Sequence, residues 1–95
     1  MTPEMQDRVV RVTRITRDII TSLMEDPASA QLDIATTDTD EPSILVTSRA
    51  VPQECGRVIG SHGMIIKSIR TFCHALGRKH RCYVTVKVQP TEAQL

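Results

Sequence analysis

Apolar residues return along this chain at two different spacings, and the switches between them divide it into elements. From Pro3 to about Glu25, Met5, Val9, Val12, Ile15, Ile19, Ile20, Leu23 and Met24 recur every three or four positions or lie adjacent, the pattern of one helix face. Thr2 followed by Pro3 reads as N-cap and first helical position, and Asp26-Pro27 as the stop. Residues 30–36 alternate instead, Leu32 and Ile34 against Gln31 and Asp33, as a half-buried strand does. Thr37 to Pro42, with Asp38, Asp40 and Glu41, reads as a turn. Residues 43–50 carry Ile44, Leu45 and Val46 in succession, which suits a central strand, so 30–36 and 43–50 are expected to form a hairpin.

Helical signals resume at Pro52-Gln53-Glu54 and again over 64–78. There Ile65, Ile66, Ile69, Phe72, Cys73 and Leu76 share one arc, and Lys67, Arg70, Thr71, His74 and Arg78 share the other. Phe72 is therefore expected to face the core. Gly77 with Arg78-Lys79-His80-Arg81 reads as a short basic loop. Over 82–88, Cys82, Val84, Val86 and Val88 alternate with Tyr83, Thr85 and Lys87 as a strand, and 90–95 reads as a tail.

The expected order is α-β-β-α-α-β, one α+β domain over residues 1–95. A strand, two helices and a strand make a right-handed crossover, so 43–50 and 82–88 should pair in parallel. The result is a three-stranded mixed sheet covered on one face by helices.

The stretch joining the two later helices carries the chemistry. In Val58-Ile59-Gly60-Ser61-His62-Gly63-Met64-Ile65-Ile66, two glycines bracket two small polar residues, a spacing that suits helix, tight turn, helix. Glycine at both corners permits positive φ and leaves no Cβ between the turn and a docking backbone. The first N–H groups of the following helix lack partners within it and carry the positive end of its dipole, so a phosphate is the expected guest.

The run Val58-Ile59-Gly60-x-x-Gly63-x-x-Ile66-x-x-Ile69 resembles the core signature of KH domains, whose GxxG loop clamps about four single-stranded nucleotides. The pattern around it resembles the small stand-alone bacterial KH proteins of the KhpA type, over roughly residues 10 to 90. That resemblance implies the type II KH arrangement, in which the extra helix and strand precede the motif. It also implies a single-stranded RNA-binding module of low sequence specificity, acting as a post-transcriptional regulator or RNA chaperone. By the same resemblance Gly60, Ser61, His62 and Gly63 contact the sugar-phosphate backbone. Val58, Ile59 and Ile66 line the base groove, Arg57, Lys67 and Arg70 supply charge, and Arg78, Lys79 and Arg81 close the far rim. Self-association and pairing with a larger KH-containing protein of the KhpB type are the implied protein contacts.

This chain departs from the pattern in one place. Relatives commonly carry lysine or arginine between the glycines, whereas here the pair is Ser61-His62. Serine offers a hydrogen bond without charge, and histidine is the side chain whose charge switches near neutral pH. Weakened, pH-sensitive RNA binding is expected. An alternative reading follows from the same pair, that the fold serves mainly as a protein-interaction module.

Composition sharpens this reading. The net charge is only +1, yet residues 1–48 hold four basic against nine acidic side chains, and residues 49–95 hold eight against two. The signature sits in the basic half, as a polyanion footprint requires. The Arg8, Arg11, Arg14 and Arg17 series spirals around the first helix and reads as a solvated surface paired with Asp7 and Asp18. With Phe72 and Tyr83 the only aromatics, base stacking across a sheet surface has little to work with, whereas an aliphatic KH groove needs none.

Other chemistries are excluded on spacing. Cys73, His74, His80 and Cys82 match no common zinc pattern, and Cys55, Cys73 and Cys82 are odd in number without CxxC, so they are expected reduced and buried. Gly56 to Gly60 lacks the Gly-Lys-Ser/Thr ending of a P-loop and is too wide for GxGxxG. No carboxylate pair, metal set or activated nucleophile argues for an enzyme or a cofactor. No apolar run is of membrane-spanning length and no secretion signal opens the chain, so a cytoplasmic location is expected.

Overall fold

The first helix begins where local chemistry places it. In the computed structural model, which describes residues 1–91, Thr2 Oγ1 accepts a hydrogen bond from the Met5 N–H at 3.2 Å and Pro3 takes the first helical position. Helix α1 spans Pro3–Ser22. It ends three residues before the expected Glu25 because the Leu23 and Met24 N–H groups turn to the Ile20 and Thr21 carbonyls, tightening the last turn. The apolar spacing continues past the helix, and Met24 is still buried.

The order that follows is β1 (Gln31–Thr36), β2 (Ser43–Ala50), α2 (Pro52–Ile59), α3 (Met64–His80) and β3 (Tyr83–Pro90). The α-β-β-α-α-β order and the three-stranded mixed sheet match the expectation. β1 pairs antiparallel with β2, from Gln31↔Arg49 to Thr36↔Ile44, and β2 pairs parallel with β3, from Ser43↔Tyr83 to Ala50↔Pro90. The strand order is β1-β2-β3, which leaves β3 at an edge.

On the helix-covered face of the sheet, Ile44, Val46 and Val86 are almost wholly buried beside Val12 and Ile20 of α1, Val58 of α2 and Ile69 of α3. All three cysteines are unpaired and buried, and burial is the leading cause that pushes each thiol's pKa up.

Three expectations need correction. Phe72 is 50% exposed. The buried line of α3 is Ile66, Ile69, Cys73 and Gly77, and at 100° per residue Phe72 stands about 100° from its centre. Secondly, α3 runs two residues past the expected end at Arg78, so Lys79 and His80 are not loop residues. With Arg78 they form the last turn of α3, where basic side chains suit the negative end of the dipole. The helix closes in a Schellman motif, with Cys82 N–H on Gly77 O at 2.8 Å and Arg81 left-handed at φ 59°. Gly77 does not break the helix because close packing requires it: a Cβ there would sit 2.5 Å from Cys82 O.

Thirdly, β3 continues through Pro90, past the expected end at residue 88. Tyr83 N–H donates to Pro42 O and Thr91 N–H to Ala50 O. By the alternation of a parallel ladder, the main-chain groups of Val84, Val86 and Val88 face the open edge, and so does the Pro90 nitrogen, where a missing N–H forfeits no ladder bond. Of the expected tail 90–95, residues 92–95 lie outside the described residues.

Candidate nucleic-acid interface

The turn between α2 and α3 is built from its glycines. Gly60 ends α2 at φ 77°, its N–H still bonded to Gly56 O at 2.9 Å, and a Cβ on it would lie 2.5 Å from Ile65 Cγ1. Gly60 is thus required twice, for its backbone angle and for the Ile65 side chain beneath it. Gly63 needs only the first allowance: φ is 72°, and its nearest neighbour would be Ile66 Cγ2 at 3.9 Å.

Ser61 to Gly63 form a single 3₁₀ turn, closed by Gly63 N–H on Gly60 O at 3.1 Å. Within it His62 takes φ 55°, a left-handed conformation in which histidine is over-represented among non-glycine residues. Ser61 and His62 are exposed, and no side chain caps the start of α3. The N-terminal pole of a 17-residue helix therefore opens beside a turn with two exposed polar side chains.

The other expected residues separate into two groups. Ile59 is 36% exposed at the end of α2, and Lys67 and Arg70 are exposed on α3. Arg70 also lies against the sheet, where its Nε donates to Val86 O on the open edge of β3 at 3.2 Å. Val58 and Ile66 are buried in the core and offer no surface to a base in this conformation.

Arg57 is occupied. Its guanidinium pairs with Glu54 Oε1 at 2.8 Å and with Glu25 Oε2 at 2.6 Å, closing the start of α2 against the end of α1. Glu54 is the buried centre of that clamp, and the Glu25 and Asp26 N–H groups also point at its carboxylate. The Asp26 N–H is the leading cause that holds the Glu54 pKa below its ordinary value, outweighing burial, with Arg57 adding to it. Sequence reasoning missed Glu54, since a carboxylate in the first turn of a helix reads as a dipole partner and nothing local announces its burial.

At the far rim, Arg78, Lys79 and Arg81 are exposed, while His80 turns partly inward. Burial, then the charges of Lys79, Arg11 and Arg8, push its pKa down. Among the described residues, no carboxylate lies within 4 Å of Lys67, Arg70, Arg78, Lys79 or Arg81, in contrast to Arg8, Arg49 and Arg57.

The family model for the KH domain of KhpA and KhpB matches residues 14–88, which include the turn and all six elements in whole or part. The chain belongs to the KhpA/KhpB KH-domain family. It is also 34% identical, over 70 residues, to a protein of Clostridium acetobutylicum named RNA-binding protein KhpA; the aligned region covers 74% of this chain and 89% of the relative. KH domains of this family are binding domains without catalytic activity. Among the described residues of this KH domain, no cluster of His, Cys, Asp and Glu is arranged to hold a metal ion, and no helix is long and apolar enough to cross a membrane.

Proposed function

We propose that this KH domain binds single-stranded RNA at the GxxG turn with low sequence specificity and acts in the cytoplasm as a post-transcriptional regulator or RNA chaperone. The observation that carries the reading is the turn itself. Gly60 and Gly63 hold the exposed Ser61-His62 pair at the open N-terminal pole of α3, and Lys67 and Arg70 on that helix have no carboxylate partner among the described residues. Membership of the family, and the chain's similarity to the RNA-binding protein of Clostridium acetobutylicum, support RNA as the polyanion.

A second reading is favoured by two particular residues. Neither side chain between the glycines carries a fixed positive charge, and Phe72 presents a half-exposed ring on α3. In that reading the fold serves chiefly to pair with a second copy or with a KhpB-type partner, and RNA binding is residual.

Titration of a labelled mixed-sequence single-stranded RNA at several salt concentrations separates the two. Affinity is expected to fall as salt rises. Replacing Ser61 and His62 together by Asp should abolish binding while the thermal melt holds. Salt-dependent binding that survives the acidic turn would transfer the function to another surface, and no binding at low salt would favour the pairing module.

A further inference from the structure

We infer that the RNA path does not stop at the four nucleotides of the turn but continues along α3 to a base-stacking station at Tyr83. This rests on the RNA-binding reading above and extends it to residues outside the GxxG groove.

The path is a helical stripe. Lys67, Arg70, His74 and Arg78 follow one another at three- and four-residue steps, so at 100° per residue they fall within an arc of about 80°. All four are exposed. The bond from Arg70 Nε to Val86 O turns that arc toward the open edge of β3. The stripe therefore runs beside the edge strand for the length of the helix, about 25 Å from the turn to the last residue. Arg81, left-handed at the position just after α3 where a glycine is usual, continues it, for with Arg78 it lines the hollow at Tyr83.

Tyr83 stands where the stripe ends. It is the first residue of β3 and is 57% exposed, more than Phe72. With Arg78, Arg81, Cys82 and Glu41 it lines an open hollow of about 200 Å³. An exposed aromatic flanked by guanidiniums is the composition of a single-strand stacking platform, where the ring takes the base and the cations take the adjoining phosphates. Glu41, on the same hollow, repels a phosphate and accepts from the amino group of a base, so the hollow itself suits a base.

The chain carries one tyrosine and no tryptophan, which makes Tyr83 its own reporter. Unlabelled RNAs of four and of eight nucleotides, of mixed sequence, are titrated into the wild-type protein while tyrosine emission is followed, and anisotropy of a labelled eight-nucleotide RNA gives affinity in parallel. The eight-nucleotide RNA is expected to quench the emission, whereas the four-nucleotide RNA, at concentrations that displace the labelled strand, leaves it unchanged. Tyr83→Ala should weaken the eight-nucleotide RNA about tenfold and the four-nucleotide RNA less than about twofold, with Tyr83→Phe close to wild type.

Binding of the eight-nucleotide RNA without a change in tyrosine emission would overturn the inference while leaving the turn intact. So would an eight-nucleotide affinity that Tyr83→Ala leaves within twofold. Failure of both RNAs to bind the wild type would remove the RNA-binding reading itself.

Discussion

Helix α2 has two corners, and they handle charge in opposite ways. At its start, Glu54 anchors a clamp that also consumes Arg57 from the last turn: the carboxylate takes the Glu25 and Asp26 N–H groups and the guanidinium bridges two acids. At its end, Gly60 to Gly63 leave the pole of α3 uncapped, and Lys67 one turn further on has no acidic partner among the described residues. Both corners join elements that must stay in place, yet only the second is left electrostatically incomplete. Proximity to the GxxG turn therefore does not make a basic residue a ligand. Arg57 and Lys67 are similar candidates in the sequence, and the structure spends one on stability and leaves the other without an acidic partner among the described residues.

Substitutions that close the open corner or open the closed one test this contrast, and their effects on the fold fall in a definite order. A methyl at Gly60 is the largest. Gly60→Ala meets Ile65 and a disfavoured φ together and should lower unfolding free energy by about 3 kcal/mol in denaturant titration. Gly63→Ala, which meets the backbone term alone, should lower it by about 1 kcal/mol.

Next comes the closed corner. The Glu54 carboxyl is held below its ordinary value of 4.5 in the folded protein, so its contribution is full above the unfolded value and disappears as pH falls through the folded one. Glu54→Gln should therefore lower Tm at pH 7, and the gap from wild type should narrow steadily when melts are repeated at acid pH. A gap that stays constant would show that the charge of Glu54 is not what clamps α1 to α2.

Smallest on the fold, and most telling for the contrast, is charge reversal at Lys67. Lys67→Glu should change stability by no more than about 0.5 kcal/mol, as exposed positions do, and still weaken a single-stranded RNA about tenfold at low salt. Arg57→Gln should do the reverse, lowering Tm with less than about a twofold change in affinity.

Much of the architecture was legible because it rests on local rules. Periodicity located five of the six elements, Pro52-Gln53-Glu54 marked the start of α2 and Thr2-Pro3 that of α1, and the crossover rule assigned the parallel pairing of β2 and β3. What the sequence left unread depends on distance along the chain. Glu25 and Arg57 are 32 residues apart, and no local pattern announces their ion pair. Phe72 sits at the flank of an apolar arc, and whether a flank is covered is decided by how α3 seats on Gly77, which requires knowing that Cys82 O lies beneath it.

The turn was legible as a motif, since glycine spacing encodes backbone angles directly. Which aliphatics and cations around it remain available was not, because Val58, Ile66 and Arg57 are committed by tertiary packing. The far rim was recognised as basic but assigned to a loop. A helix that ends on a left-handed arginine lacks the glycine that usually signals the stop.

The open side of β3 matters for what does not bind there. An unpaired strand edge is a template for another chain, and proteins that leave one bare risk sheet-to-sheet aggregation. Here the Val86 carbonyl is already taken by Arg70, and Pro90 has no N–H to present. A foreign strand would find that ladder interrupted in the middle and at one end, beside a row of positive charge. This edge, one of the two in the sheet, is thus guarded against other polypeptides, and here a small domain of near-neutral net charge gains a protection against self-templating that its overall charge does not supply.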